Sequence, residues 1–263
     1  MRRRLYLDTN ILSELAKRGD VTTFIRWMEA EDFELALSGP LFVELSAAVD
    51  RLVQLPALLL GVDVRVLFDA PVLLAAEIAR FPNGAGAGAT QSVSPKGTFE
   101  VDALLRVLRR PSTAAARTEV LANGAQMPAR HGQLKANFPP GPDGRYSLAQ
   151  GEEYVEVLVR QMIETSPDVD VALLPAIFAS FRASAFPSLH HLAVVNFWTL
   201  YKRGEAPSQT SDMGDLTHLQ IFPYADVVIT ERRLMLREAH AAFAITSLRI
   251  HTIDFAREAR WLD

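Results

Sequence analysis

Apolar residues along the chain follow two rhythms. Short apolar runs bounded by turn-forming or charged residues read as strands: RLYL (4–7), FELAL (33–37), VVIT (227–230) and RIHTI (249–253), with DVRVLF (63–68) as a further candidate. Between them apolar positions recur at helical spacing, over 11–18, 21–30 and 40–54 early in the chain and over 212–222 and 232–242 late in it. Strands alternating with helices predict a parallel sheet covered on both faces, which is an α/β fold.

The middle of the chain is helical in pattern, over 71–81, 98–109, 113–124, 147–165, 168–185 and 187–203. Two stretches interrupt it. NGAGAGATQSVSPKG (83–97) has small residues and no apolar period, so it reads as a connecting loop. FPPGPDG (138–144) cannot be helical, because proline lacks the amide proton and clashes with the preceding turn. GAGAGA (84–89) does not have the G-x-G-x-x-G spacing and does not open a helix, so it is a connector rather than a dinucleotide loop. There is no internal repeat. The economical architecture is an α/β core built from residues 1–50 and 205–263, with 51–204 as a mostly helical insertion in the same domain or a subdomain. An independently folding helical domain is the alternative.

Composition narrows the chemistry. With 263 residues, 49% of them hydrophobic and 22% charged, the chain can bury a sizeable core. It has no cysteine, which removes disulfides, thiolate nucleophiles and thiolate zinc sites and fits a reducing compartment. A net charge of −4 gives no global attraction to nucleic acid, so such a partner needs a local basic patch. No stretch is long and uncharged enough to span a bilayer. MRRRLYLDTN lacks a signal peptide's apolar centre, since Asp8 breaks the run, and a cytoplasmic location is expected.

Asp8 falls where the first strand should end, in an Asp-Thr-Asn corner leading into a helix. Ligands of open α/β sheets gather outside the carboxyl ends of the strands. A carboxylate there can hold a divalent metal, or it can merely cap the helix. Glu44 lies early on the helix that follows the second strand, where it would point back to the strand ends; the competing reading is an exposed helix glutamate. Asp212, Asp215 and His218 succeed one another at intervals of three and share a helix face, although Ser211 or Asp212 would also serve as an N-cap. Glu231 follows Thr230 at the end of the VVIT strand, and Asp226 stands at that strand's other end. Glu231 could equally answer the helix dipole of the next element. His190-His191 has no second ligand at i+4 and reads as a surface or core pair. Four converging carboxylates would repel by about 1 kcal/mol per pair at 4 Å in water, and by more when buried. Convergence therefore implies a bound cation, and oxygen-only ligation suits Mg²⁺ or Mn²⁺.

At these residues the chain resembles the PIN-domain ribonucleases, a family that includes the toxin nucleases of bacterial toxin–antitoxin pairs. The resemblance rests on LDTNILSEL (7–15), SGPLFVEL (38–45), DLTHLQIFPYADVVITERRL (215–234) and RIHTIDF (249–255), in that order, and covers somewhat under half the chain. It implies a PIN-like central parallel sheet flanked by helices, and one or two Mg²⁺ or Mn²⁺ ions held by Asp8, Glu44, Asp215 and Glu231. Thr9, Asn10, Ser38 and Thr230 would orient those carboxylates. Two features depart from the family. Its fourth acid is usually Asp, whereas Glu231 stands here, with Asp226 as the substitute candidate. The insertion also exceeds what a minimal PIN toxin contains. The implied reaction is phosphodiester hydrolysis in RNA, with an antitoxin or other protein, or a second copy of the chain, as further partners. Arg232 and Arg233, and the Arg2–Arg4 run, are candidates for phosphate contact or for solvated surface. Two rivals remain: a PIN-like scaffold with a weakened site that binds a protein or RNA, and a haloacid-dehalogenase-like phosphatase. The latter wants a second Asp where Asn10 stands.

Overall fold

In a computed structural model of the chain, the structure describes residues 2–81, 101–124, 136, 138–167, 169–203, 217–231, 233–245 and 248–262. The first part runs β1 (Arg3–Leu7), α1 (Thr9–Arg18), α2 (Val21–Ala30), β2 (Phe33–Leu37), α3 (Gly39–Leu45), α4 (Leu55–Gly61), β3 (Val64–Val66) and α5 (Ala70–Arg80). Next come α6 (Val101–Leu108), α7 (Pro111–Gly124), α8 (Leu148–Thr165), α9 (Leu174–Ala179) and α10 (Pro187–Arg203). The last part holds β4 (Val227–Thr230), α11 (Arg233–Ala242), β5 (Arg249–Thr252) and α12 (Ile253–Glu258).

All five strands are parallel and lie in the order β3-β2-β1-β4-β5. The fold is α/β, as the alternation predicts. Side chains in a strand point alternately to the two faces, and each face of this sheet is buried. Leu5, Leu7, Leu35, Leu37, Val227 and Ile229 join one core with α1, α2, α3, α4, α6 and Trp261 near the end of the chain. Tyr6, Ala36 and Val228 join the other with α5, α8, α10 and α11. The strands therefore read as continuous apolar runs, which is the signature of a parallel sheet covered on both sides. In α1, Ile11, Leu12, Leu15 and Ala16 form the inward face, and Lys17 and Arg18 sit in the last turn, where they complement the helix dipole.

Three expectations are corrected. Residues 64–66 belong to the sheet, pairing with β2, so the boundary expected at residue 50 cuts through the core. Within the expected insertion, α8 and α10 pack on the sheet and share a core with Tyr6, Ala36 and Val228. The helix expected over 40–54 ends at Leu45 and continues as a 3-10 turn, Ser46–Arg51, before α4 starts afresh. Pro56 explains the restart, because it is tolerated only in a helix's first turn. Pro175 acts likewise within 168–185, where two 3-10 turns flank the short α9. The expected loop at 83–97 lies outside the described residues, as do 212–216 of the helix expected at 212–222; residues 217–219 are helical and Phe222–Tyr224 form a 3-10 turn. Among the described residues no helix is long and apolar enough to cross a membrane.

Candidate functional site

The strand order places β1 between β2 and β4, so the chain's winding reverses at β1. In doubly wound sheets such a reversal opens a crevice at the carboxyl ends of the two central strands. Asp8 leaves β1 and Thr230 ends β4 at that crevice. The Asp8 amide donates to the Ile229 carbonyl at 2.9 Å, and the Thr230 hydroxyl donates to Oδ2 of Asp8 at 2.7 Å. Asp8 occupies the N-cap position of α1 but its side chain makes no capping hydrogen bond. The carboxylate is held by the neighbouring strand instead.

The next two residues of the corner reach the other acids. Thr9 donates its hydroxyl to Oε2 of Glu44, which α3 carries from the end of β2. Asn10 donates Nδ2 to Oε2 of Glu231 at 2.9 Å. Three consecutive residues thus reach β4, α3 and the residue that follows β4, and Asp8, Glu44 and Glu231 are each tied by a neutral donor at one oxygen. Neither Oδ1 of Asp8 nor Oε1 of Glu44 or Glu231 has a hydrogen-bond partner among the described residues.

Ser38 caps α3, accepting the Leu41 amide at 3.4 Å, and also lies 2.8 Å from the Tyr6 hydroxyl. Tyr6 is fully buried beneath the corner and bonds Nδ1 of His218, whose Nε2 is 3.2 Å from Oε2 of Glu44. Burial would raise the Glu44 pKa, but the His218 contact, the Thr9 hydroxyl and the charge of Arg117 outweigh it and hold it below its ordinary value. Burial is also the main reason why the Tyr6 pKa stands well above its usual range, with the nearby Asp8 and Glu44 adding to it. Arg117 lies on α7, which packs against α3.

Other candidates fall elsewhere. Asp215 and Asp212 lie outside the described residues, as do Ser211, Arg232 and the Arg233 side chain. Among the described residues no group of three or more His, Asp or Glu side chains could hold a metal ion. Asp226 stands at the opposite end of β4, where its Oδ2 accepts the Arg4 amide at 2.6 Å. Arg4 is neither solvated nor free for phosphate: it is buried, bonding Glu34 at 3.1 Å and the Tyr224 carbonyl at 3.3 Å. Arg2 pairs with Asp32 and Asp63, and Arg3 with Glu31. His191 is a core residue bonded to the Leu219 carbonyl at 2.7 Å and to His240. Sequence reasoning did not single out Tyr6 or Arg117. A tyrosine in an otherwise apolar strand was the available signal for the first; the second has no local signature.

No protein-family model matches the chain, and no curated protein and no solved structure matches it.

Proposed function

We propose that the chain is a Mg²⁺- or Mn²⁺-dependent nuclease that hydrolyses phosphodiester bonds in RNA and works in the cytoplasm. One observation carries the reading: Asp8, Glu44 and Glu231 border a single strand-end corner, and Thr230, Thr9 and Asn10 each bind one oxygen of one of them. The donors are all carboxylate oxygens, the chemistry that hard divalent cations prefer. Asp8 and Glu44 would hold the ion, with Glu231 and, from the sequence pattern, Asp215 completing the set. A divalent ion so held supplies charge neutralisation for the phosphate and a lowered pKa for the attacking water.

The chain's own groups do the rest. Thr230, Thr9 and His218 fix the rotamers of Asp8 and Glu44. The depressed pKa of Glu44 keeps that group ionised through the neutral range. Arg117 adds positive charge beside the acids, where a phosphodiester would lie. The pattern of Asn10 bound to Glu231 favours this reading over a phosphatase, which would need an acid at position 10.

The test is cleavage of a single-stranded RNA oligonucleotide with Mn²⁺ by wild type and by Asp8→Asn. Asp8→Asn should lose cleavage while keeping its circular dichroism spectrum and unfolding midpoint. Undiminished cleavage by the purified variant, with contaminating nuclease excluded, would overturn the assignment of Asp8. No cleavage by wild type with either ion would overturn the nuclease reading.

A further inference from the structure

Glu44 stands at the end of a file of hydrogen bonds whose direction can be derived. Ser38 Oγ accepts the Leu41 amide, lies 2.8 Å from the Tyr6 hydroxyl, and Tyr6 in turn bonds Nδ1 of His218. Nε2 of His218, on a buried ring, is 3.2 Å from Oε2 of Glu44 and has no aligned hydrogen-bond partner among the described residues. The Tyr6 phenol has a single proton to give. If it gave that proton to Ser38, His218 would have to donate from Nδ1. A neutral ring would then turn a bare Nε2 lone pair toward a carboxylate, and the Ser38 proton would find no acceptor within the file. If Tyr6 instead donates to Nδ1, Ser38 donates to Tyr6 and Nε2 carries a proton aimed at Glu44. A doubly protonated ring would also place N–H at Nε2. Buried polar groups pair wherever geometry allows, since an orphaned one costs about 1–3 kcal/mol. The second direction therefore prevails.

We propose that His218 is a positioning residue for Glu44: Ser38 and Tyr6 set its tautomer, so that His218 Nε2–H and the Thr9 hydroxyl both hold Oε2 and leave Oε1 to face a metal ion. The proposal rests on the metal-nuclease reading of the same corner. It assigns the work of orienting Glu44 to a buried strand residue and a helix cap that never touch the ion. Ligand-orienting groups of this kind change metal affinity by about 10–100-fold when removed.

Two measurements on the full chain test it, and one needs no metal. Imidazole ¹⁵N spectra of the metal-free protein should show the Nε2–H tautomer or the imidazolium for His218, whereas Tyr6→Phe should give a mixture of neutral tautomers. Calorimetric titration with Mn²⁺ should then show binding weakened by about 10–100-fold in Tyr6→Phe and His218→Leu. His218→Gln, which keeps an N–H near the Nε2 position, should recover most of the affinity. Should His218→Leu fail to fold, Ser38→Ala takes its place, with a loss of several-fold expected. A neutral Nδ1–H tautomer in wild type would overturn the proposal, as would unchanged Mn²⁺ affinity in folded Tyr6→Phe and in whichever of His218→Leu and Ser38→Ala is folded. Absence of Mn²⁺ binding by wild type, with the expected tautomer present, would instead overturn the metal reading and remove the role with it.

Discussion

At the scale of single residues, the corner at 8–10 separates acids by where their carboxylates are tied. Glu231 is tied to Asn10 at the strand ends, whereas Asp226 is tied to the Arg4 amide at the other end of the sheet. Glu231→Gln should therefore weaken Mn²⁺ binding and turnover, measured by parallel metal titrations. Asp226→Asn should leave both unchanged and cost at most about 1 kcal/mol of stability, because the asparagine carbonyl can still accept the amide. A larger loss of Mn²⁺ affinity from Asp226→Asn would reverse the assignment. Asp8, Thr9, Asn10 and Glu44 could be picked out from sequence because a strand end followed by a helix start fixes where a side chain emerges. Arg4 could not. A charged residue at a strand's beginning reads as surface, and only the fold shows that Glu34 and the Tyr224 carbonyl bind it in the interior.

At the scale of elements, two contacts between helices make opposite demands. Gly151 on α8 faces Phe197 of α10, and an added Cβ would meet Phe197 Cε1 at 2.5 Å and Phe243 Cζ at 2.8 Å. Gly151→Ala gains about 1 kcal/mol of helix propensity, yet it forces two packed rings to move, at about 1–3 kcal/mol. Net destabilisation is expected in urea unfolding, and a stabilised variant would show that the rings yield freely. Between α10 and α11 lies the pair His191 and His240. Burial, helped by the charge of neighbouring histidines, lowers their pKa values to about 3 and about 4. Below about pH 6.5 the unfolded chain takes up protons that the folded pair refuses. Their contribution to stability is thus complete above pH 6.5 and is lost as pH falls toward 4. The slope is up to about 1.4 kcal/mol per pH unit for each ring. Urea midpoints of wild type should drop over that window, and those of a His191→Leu/His240→Leu variant should depend on pH less steeply. The helical pattern of 187–203 was plain in the sequence, but a histidine on an apolar face does not announce whether its partner is water or another histidine.

At the scale of the whole molecule, the sheet recruits strands from both ends of the chain and one from between. The alternation of strands and helices was enough to anticipate a parallel sheet. Strand order was not legible, because pairing between distant segments leaves no local pattern, and neither was the use of α8 and α10 as a covering layer. The placement of α7 against α3 likewise escapes the sequence, yet it brings Arg117 to Glu44. Arg117 makes no hydrogen bond or ion pair among the described residues, and its charge still draws down the Glu44 pKa. Arg117→Ala should raise KM for RNA by on the order of fivefold, equivalent to about 1 kcal/mol, with kcat little altered. Added salt should narrow that difference, whereas equal KM values at low salt would exclude a substrate contact.

The position of β1 also has a consequence for biosynthesis. It lies between β2 and β4, and the bond from Thr230 to Asp8 spans 222 residues. At about 5–20 residues per second, a ribosome delivers β4 on the order of ten seconds or more after β1. During that interval one edge of β1 is open and Asp8 lacks the hydroxyl that aims it. A fragment ending at residue 203 should accordingly show no cooperative unfolding transition and no Mn²⁺ binding, a pair of measurements that a folded fragment would contradict. A nascent chain released before β4 would carry Asp8 and Glu44 without the Thr230 hydroxyl that holds the first of them.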